Sequence, residues 1–160
     1  MFPTKNDLSE AIRSKVVDLL NARLADAIDL QTQCKQAHWN VKGANFIALH
    51  KLFDEVNEDV EEYVDLIAER AVQLGGLAEG TARSVAKRSA LAEYSARGAD
   101  SREHVQALSS ALSSFGKAVR AAITQTDDIG DADTADIFTE ISRGVDKWLW
   151  FVEAHLAAER

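Results

Sequence analysis

Carboxylates and a histidine dominate one stretch of the sequence, residues 50–69. Eight Asp or Glu side chains lie between Asp54 and Glu69, and His50 precedes them. At about 100° per residue, four of these side chains share an arc of roughly 100° on one helix face: His50, Asp54, Asp65 and Glu69. Imidazole and carboxylate ligands together suit iron. The face is therefore a candidate iron site, with a solvated acidic helix surface as the alternative.

Helix geometry divides these four candidates into two pairs. Each pair has i,i+4 spacing, which lets two side chains converge on one ion: His50 with Asp54, and Asp65 with Glu69. The pairs are about 16 Å apart along the axis at about 1.5 Å per residue, whereas metal–ligand bonds are only about 2 Å long. The Glu-x-x-His motif of centres built inside one bundle is absent. We therefore predict a centre shared by two antiparallel subunits of a symmetric dimer.

The apolar pattern indicates four long helices that must position this face. Apolar residues recur at three- and four-residue steps, the helical period, over four ranges: 9–41, 46–74, 105–122 and 137–156. Glycines and mixed polarity predict a long crossover over residues 75–101, with a short helix near residues 86–94, and residues 127–131 predict a turn. This connectivity predicts an all-α, ferritin-like four-helix bundle. We treat residues 1–160 as one domain with a short N-terminal tail, residues 1–8.

Composition and charge argue against several functional classes. The net charge of −8 is opposite to the basic surface of a nucleic-acid binder, so we expect weak or absent DNA binding. No apolar run is long enough to span a bilayer. The single cysteine, Cys34, cannot form an intrachain disulfide, and the N-terminal residues lack a signal-peptide core, so we expect a cytoplasmic protein. One basic cluster lies in the predicted crossover, and we expect it to increase the solubility of that loop rather than to contact DNA: Arg83, Lys87, Arg88, Arg97 and Arg102.

Three long motifs occur in a fixed order along the sequence. Residues 38–43 (HWNVKG), followed by residues 49–50 and Asp54, form the first. Residues 64–70 (VDLIAER) form the second, and residues 146–151 (DKWLWF) form the third. Together they resemble the signatures of Dps, the bacterial mini-ferritin family named for DNA protection during starvation. The resemblance extends over most of the chain.

The resemblance implies a hollow homododecamer with iron-oxidising centres at its dimer interfaces. It assigns each centre ligands from two subunits: His38, His50 and Asp54 from one, and Asp65 and Glu69 from its two-fold mate. The implied activity is oxidation of Fe(II) at a mono-iron or di-iron centre, with hydrogen peroxide preferred over oxygen, and storage of the ferric mineral. Two alternatives remain: a DNA-compacting, nucleoid-associated cage with an incidental metal site, and a helical scaffold that only dimerises.

An acidic cluster lies at the start of the predicted fourth helix. The resemblance places Asp133 and Asp136 in the ring of an ion-entry pore on a three-fold axis, with Asp131 a weaker candidate. Carboxylates in such a pore attract cations. The alternative is a favourable interaction of these carboxylates with the positive end of the helix dipole, which requires no function.

Aromatic and sulfur side chains near the candidate ligands have two interpretations. Trp39 either donates an electron to stray oxidants or packs at the dimer interface. We expect Cys34 to be a buried, inert thiol, with a radical sink as the alternative. Trp148 and Trp150 are expected to be core and interface residues. His104 matches no ligand spacing and is given no role.

Overall fold

Helix-favouring residues and a single proline allow long helices with few breaks. The computed structural model describes residues 1–98 and 100–157. Five α-helices and a final 3-10 turn follow in this order: α1 (Glu10–Asn40), α2 (Phe46–Gln73), α3 (Ala82–Arg88), α4 (Ser101–Ile129), α5 (Ala132–Glu153) and the turn (Ala154–Leu156). The predicted all-α bundle of four long helices with a long crossover is confirmed. In this described part of the chain, no helix is long and apolar enough to cross a membrane.

The four long helices enclose one apolar core. α1 packs most extensively against α2, and α4 against α5, while α1 also contacts α4 and closes the bundle. Phe53, Phe115 and Phe138 from three different helices are completely buried in this core. Burying each such side chain contributes about 1.5–3 kcal/mol. Because α2 turns its apolar face inward, its acidic face is left on the outside of the bundle.

The crossover between α2 and α4 contains one short helix, but not where the sequence predicted it. α3 ends at Arg88, so the predicted helix over residues 86–94 is wrong for most of its length. The buried Asp26 carboxylate accepts a hydrogen bond from the Ala90 N–H at 2.7 Å, and Gln33 donates to the Ala92 carbonyl at 3.1 Å. These side chains of α1 satisfy backbone groups that a helix would otherwise use.

The connection between α4 and α5 is shorter than the predicted turn over residues 127–131. α4 continues to Ile129, and Gly130 then adopts φ +96°, the left-handed conformation that glycine adopts without strain. Asp131 caps α5, because its carboxylate accepts hydrogen bonds from the Thr134 N–H at 3.1 Å and the Thr134 hydroxyl at 2.6 Å. The turn therefore consists of two residues, and α5 follows α4 as a close antiparallel neighbour.

A buried ion pair joins the end of α2 to the start of α5. The Arg70 guanidinium donates to Asp131 at 2.7 Å and to the Thr134 hydroxyl at 2.9 Å. Both charged residues are almost inaccessible, with 6% of Arg70 and 2% of Asp131 exposed. Since Arg70 directly follows Glu69, this contact fixes the part of α2 that carries a candidate ligand.

Replacing Asp131 with Ala should lower the free energy of unfolding by about 3 kcal/mol or more, because it leaves the Arg70 charge buried without its partner. The matched control is Asp133→Ala. Asp133 lies 3.8 Å from Arg70, but its side chain is 84% exposed, so the loss should stay within about 0.5 kcal/mol. Urea unfolding followed by circular dichroism at one protomer concentration measures both. Equal losses in the two variants would contradict the assigned ion pair.

Candidate metal centre

The end of α1 and the start of α2 bring two histidines into direct contact. His38 Nδ1 lies 2.7 Å from the His50 carbonyl oxygen, and His50 Nδ1 lies 2.9 Å from the His38 carbonyl oxygen. The two rings stack with centroids 3.7 Å apart and an interplanar angle of 21°. The short connection between the helices makes this possible, because it sets the last turn of α1 beside the first turn of α2.

These reciprocal hydrogen bonds fix which ring nitrogen carries the proton. A carbonyl oxygen can only accept a hydrogen bond, so Nδ1 must be the donor in both His38 and His50. In the neutral tautomer, each Nε2 atom then keeps a free lone pair. Histidines that bind metals usually donate their other ring N–H to a carbonyl or carboxylate in this way. The arrangement therefore presents two imidazole nitrogens in a form suited to a metal ion.

Asp54 lies one helical turn after His50, near the His38 ring. Its Oδ1 atom is 3.9 Å from His38 Nδ1. The same oxygen accepts a hydrogen bond from Lys35 Nζ at 2.6 Å. This bond to the Lys35 ammonium lowers the pKa of Asp54 below its ordinary value. Asp54 is thus held as a carboxylate, with a positive charge of the protein already bound to it.

Lys35 is a residue that the sequence reasoning missed. It lies three positions before His38, so the helical period alone places both side chains on the same face of α1. Lysine is not among the imidazole and carboxylate ligands that suit iron, so ligand spacing gives no reason to single out Lys35. Its ammonium is bonded to Oδ1 of Asp54, so a cation that used this oxygen would have to displace it.

The other two candidate ligands lie apart from this group. Asp65 and Glu69 are exposed on α2, beyond the turn that carries Asp54. Among the described residues, no group of three or more His, Cys, Asp and Glu side chains within one protomer is placed to hold a metal ion. One protomer therefore offers two half-sites. That the second half-site meets the first across a two-fold axis stays a prediction.

A groove runs along the outer face of α1 beside this group. Its volume is about 1120 Å³, and its walls include Lys35, Trp39 and Tyr94. Trp39 is 67% exposed. The indole of Trp39 therefore projects from the helix next to His38. This position fits both interpretations of Trp39, electron donation to oxidants and packing at a dimer interface.

The remaining aromatic and sulfur residues have clear positions. Cys34 is completely buried, as expected, and burial raises the pKa of its thiol. Trp148 lies in the core, where its indole N–H donates to Asp59 at 2.7 Å. Trp150 is not a core residue, because 67% of it is exposed.

The acidic cluster at the start of α5 separates into buried and exposed members. Asp133 and Asp136 are exposed, so both carboxylates are available to cations. Asp131 is buried and engaged by Arg70 and Thr134, so the weaker pore candidate is a helix cap and ion-pair partner.

The fold is one that known proteins share. Residues 17–160 match the model of the ferritin-like domain, so the chain is a ferritin-like protein. The DNA protection during starvation protein of Agrobacterium fabrum is 44% identical over 153 residues, which cover 96% of this chain and 94% of that protein. The protein of the same name from Mycolicibacterium smegmatis is 34% identical over 149 residues, with 93% and 81% covered. The chain belongs to the Dps family.

Solved structures give the same result. The tetragonal form of Mycobacterium smegmatis Dps superposes with a TM-score of 0.93 at 32% identity, covering 99% of this chain and 95% of that one. DpsC from Streptomyces coelicolor has a TM-score of 0.93 at 30% identity, with 100% and 92% covered. The predicted membership in the Dps family is confirmed.

Replacing Lys35 with Met should strengthen metal binding, because it removes the competing ammonium and keeps an unbranched apolar stem. We expect affinity to rise roughly fivefold, the upper end of what a partly exposed ion pair is worth, and an additional ion to bind at each centre. Anaerobic calorimetric titration with Co(II) measures both. Lys51→Met, an exposed position beside His50, is the matched control. Unchanged affinity and stoichiometry in the Lys35 variant would contradict the competition.

Proposed function

We propose that this chain is the subunit of an iron-oxidising and iron-storing homododecamer. Its substrate is Fe(II), its preferred oxidant is hydrogen peroxide, and its product is a ferric mineral kept inside the cage. The observation that carries this proposal is the reciprocal hydrogen bonding of His38 and His50, which prepares two imidazoles beside the Asp54 carboxylate. Membership in the Dps family supports the same conclusion.

The donor set of the two half-sites fits iron. Two imidazole nitrogens suit Fe(II), and carboxylate oxygens favour Fe(III) as it forms, because hard oxygen ligands stabilise the higher charge. His38, His50 and Asp54 would supply the first half from one subunit. Asp65 and Glu69 would supply the second from the two-fold mate, with Glu69 bridging two iron positions. Neither half is sufficient alone, which is why assembly and activity are coupled in this proposal.

The chemistry of the centre is the transfer of electrons from iron to peroxide. Two Fe(II) ions supply the two electrons that reduce one hydrogen peroxide, with two protons, to two water molecules. Reduction by a pair of ions avoids the one-electron step that releases hydroxyl radical. His38 and His50 would hold an iron ion through imidazoles of fixed orientation, since their hydrogen bonds to carbonyls restrain ring rotation. Lys35 Nζ is bonded to Asp54 Oδ1, so an ion that used Asp54 would have to displace this ammonium or bind through Oδ2 against its repulsion. We therefore expect the position that uses Asp54 to fill less readily than the other.

The complementation of two damaged variants tests the shared centre. One variant carries His50→Ala and Asp54→Ala, and the other carries Asp65→Ala and Glu69→Ala. Either variant alone should oxidise Fe(II) with peroxide far more slowly, because every centre lacks half its ligands. After unfolding and joint reassembly, each mixed dimer should hold one complete centre and one empty centre. Activity should recover to about half that of the wild type per mixed dimer.

The control for this experiment is a mixture in which mass spectrometry demonstrates mixed dimers. If each centre were built within one subunit, every chain would carry a damaged site and mixing would restore nothing. Failure to recover in such a mixture would therefore rule out the shared centre. Light scattering of the wild type supplies the accompanying mass, which should correspond to twelve subunits.

Asp133 and Asp136 are proposed to line the route by which iron enters the cage. Both carboxylates are exposed at the first turns of α5, and neither is part of the core. A ring of such groups around a three-fold axis would concentrate cations at the entrance.

Replacing Asp133 and Asp136 with Asn should slow iron uptake by roughly tenfold, the lower end of electrostatic steering. The slowing should shrink as salt is raised, because ions screen the steering field. Stopped-flow mineralisation kinetics measure both effects. Asp127→Asn with Asp128→Asn, which are exposed at the end of α4, is the matched control. If the pore variant and the wild type took up iron at equal rates, Asp133 and Asp136 would act only through their interaction with the helix dipole.

DNA binding by this chain is proposed to be weak. The relatives are named for DNA protection. Each subunit of this protein, however, carries a net charge of −8, which repels the phosphate backbone. Protection of DNA would then follow from removal of iron and peroxide in the cytoplasm rather than from direct contact.

A further inference from the structure

A hydrogen bond between the half-buried Tyr94 and the buried His104 joins the crossover to α4. The Tyr94 hydroxyl oxygen lies 2.6 Å from His104 Nδ1, and His104 Nε2 lies 3.1 Å from the Gly98 carbonyl oxygen. Only 1% of His104 is exposed. The two rings are nearly parallel, with centroids 5.9 Å apart. The proposed iron chemistry makes no use of either residue.

The hydrogen bonds of this pair have a defined direction. Because the Gly98 carbonyl can only accept, His104 Nε2 carries the ring proton and Nδ1 is unprotonated. The Tyr94 hydroxyl therefore donates to Nδ1 along a short bond. Burial, reinforced by the nearby Cys34 sulfur, raises the pKa of Tyr94, so the phenol does not ionise by itself at neutral pH. A base in hydrogen-bond contact is what such a phenol needs to lose an electron, since oxidation makes its proton strongly acidic.

The phenol also lies on the groove that runs beside the candidate metal centre. Tyr94 lines the same groove as Lys35 and Trp39, and Lys35 is bonded to the candidate ligand Asp54. On its other side Tyr94 lines a small polar pocket with Gln36 and Asn40. The only other tyrosine is Tyr63, whose pKa is raised to about 12 by burial and by the nearby Asp59 carboxylate.

We propose that Tyr94 and His104 form a redox site that captures one-electron oxidants, a role that rests on the proposed iron chemistry for its source of oxidant. When peroxide meets a centre that holds one Fe(II), the products are Fe(III), hydroxide and a hydroxyl radical. Tyr94 gives one electron to that radical, either directly or through Trp39, and the radical becomes hydroxide. The phenolic proton moves to His104 Nδ1 at the same time. The pair is left as a neutral phenoxyl radical and an imidazolium.

The pair is restored by the next Fe(II). One electron from that ion reduces the phenoxyl radical, His104 returns the proton to the phenolic oxygen, and the ion becomes Fe(III). The sum of both steps is two Fe(II) oxidised for one peroxide, without release of hydroxyl radical. This would matter most while Lys35 keeps a second ion from Asp54, because such a centre can supply only one electron at a time.

A purely structural brace between the crossover and α4 is the competing explanation. His104→Asn distinguishes the two, because the Asn side-chain oxygen can accept the Tyr94 hydrogen bond but is a very poor base. Tyr94→Phe removes the hydroxyl and keeps the ring. Tyr63→Phe is the matched control, since these are the chain's only two tyrosines.

The first measurement requires no iron. Azide radicals made by pulse radiolysis oxidise the assembled protein, and the phenoxyl absorbance is followed in time. We expect the phenoxyl signal in the wild type and Tyr63→Phe, its loss in Tyr94→Phe, and formation on the order of 10²-fold slower in His104→Asn, as for loss of a positioned base. Slower formation in deuterated water would show, without any substitution, that the proton moves with the electron. A signal that survives Tyr94→Phe, or equal rates in His104→Asn and the wild type, would overturn the proposal.

The second measurement links the pair to iron. The protein is loaded anaerobically with one Fe(II) per centre, mixed with peroxide and frozen within milliseconds for electron paramagnetic resonance. A tyrosyl signal that Tyr94→Phe abolishes and Tyr63→Phe retains supports the proposal. Iron oxidation without that signal, or with extra spin-trapped hydroxyl radical unaffected by Tyr94→Phe, overturns it. Absence of Fe(II) oxidation in the wild type would count against the proposed function alone, and the azide-radical result would still decide the redox pair.

Discussion

The two hydrogen bonds exchanged by His38 and His50 are the constraint on which the candidate centre depends. Each histidine uses its Nδ1–H to satisfy a carbonyl at a helix terminus, where α1 ends and α2 begins. The His38 carbonyl lies in the last turn of α1, where carbonyls have no intrahelical partner, so the bond from His50 serves the fold and the site together. The same bonds turn both Nε2 atoms into potential metal ligands. Removing either histidine would therefore disturb the helix connection as well as the ligand set.

Charge balance explains how an acidic helix face is tolerated in a protomer without metal. Lys35 neutralises Asp54, and Arg70 neutralises Asp131 at the opposite end of α2. The exposed carboxylates of α2 between Asp54 and Arg70 are stabilised by hydration. A centre that exchanged the Lys35 ammonium for a metal ion would keep its local charge nearly constant. The ammonium would thereby lower the electrostatic cost of holding Asp54 near His38 and His50 before iron binds.

The sequence predicted most of the fold because the apolar period of the four long helices is strong, and because Gly130 and the Gly75-Gly76 pair mark real helix ends. It misplaced the short helix of the crossover, since the bonds from Asp26 and Gln33 that prevent helix after Arg88 join residues far apart in the chain. For the site, helix spacing separated the His50 and Asp65 pairs correctly. Spacing within α2 could not reveal His38 or Lys35, because both belong to another helix, and the family motif supplied only His38.

The separation of the two half-sites has a consequence for how the protein handles iron. In the proposed centre, a chain that has not yet assembled would offer His38, His50 and Asp54 only with Lys35 bonded to Asp54. Such a chain would bind Fe(II) weakly and could not pair two ions for peroxide. A centre filled in steps passes through a singly occupied state even in the complete cage. Redox-active side chains beside the groove are useful in that state, since they can hold one oxidising equivalent until the second electron is available. Tyr94 and His104 have the short hydrogen bond that such storage requires, whereas the buried thiol of Cys34 has no comparable base in contact with it among the described residues.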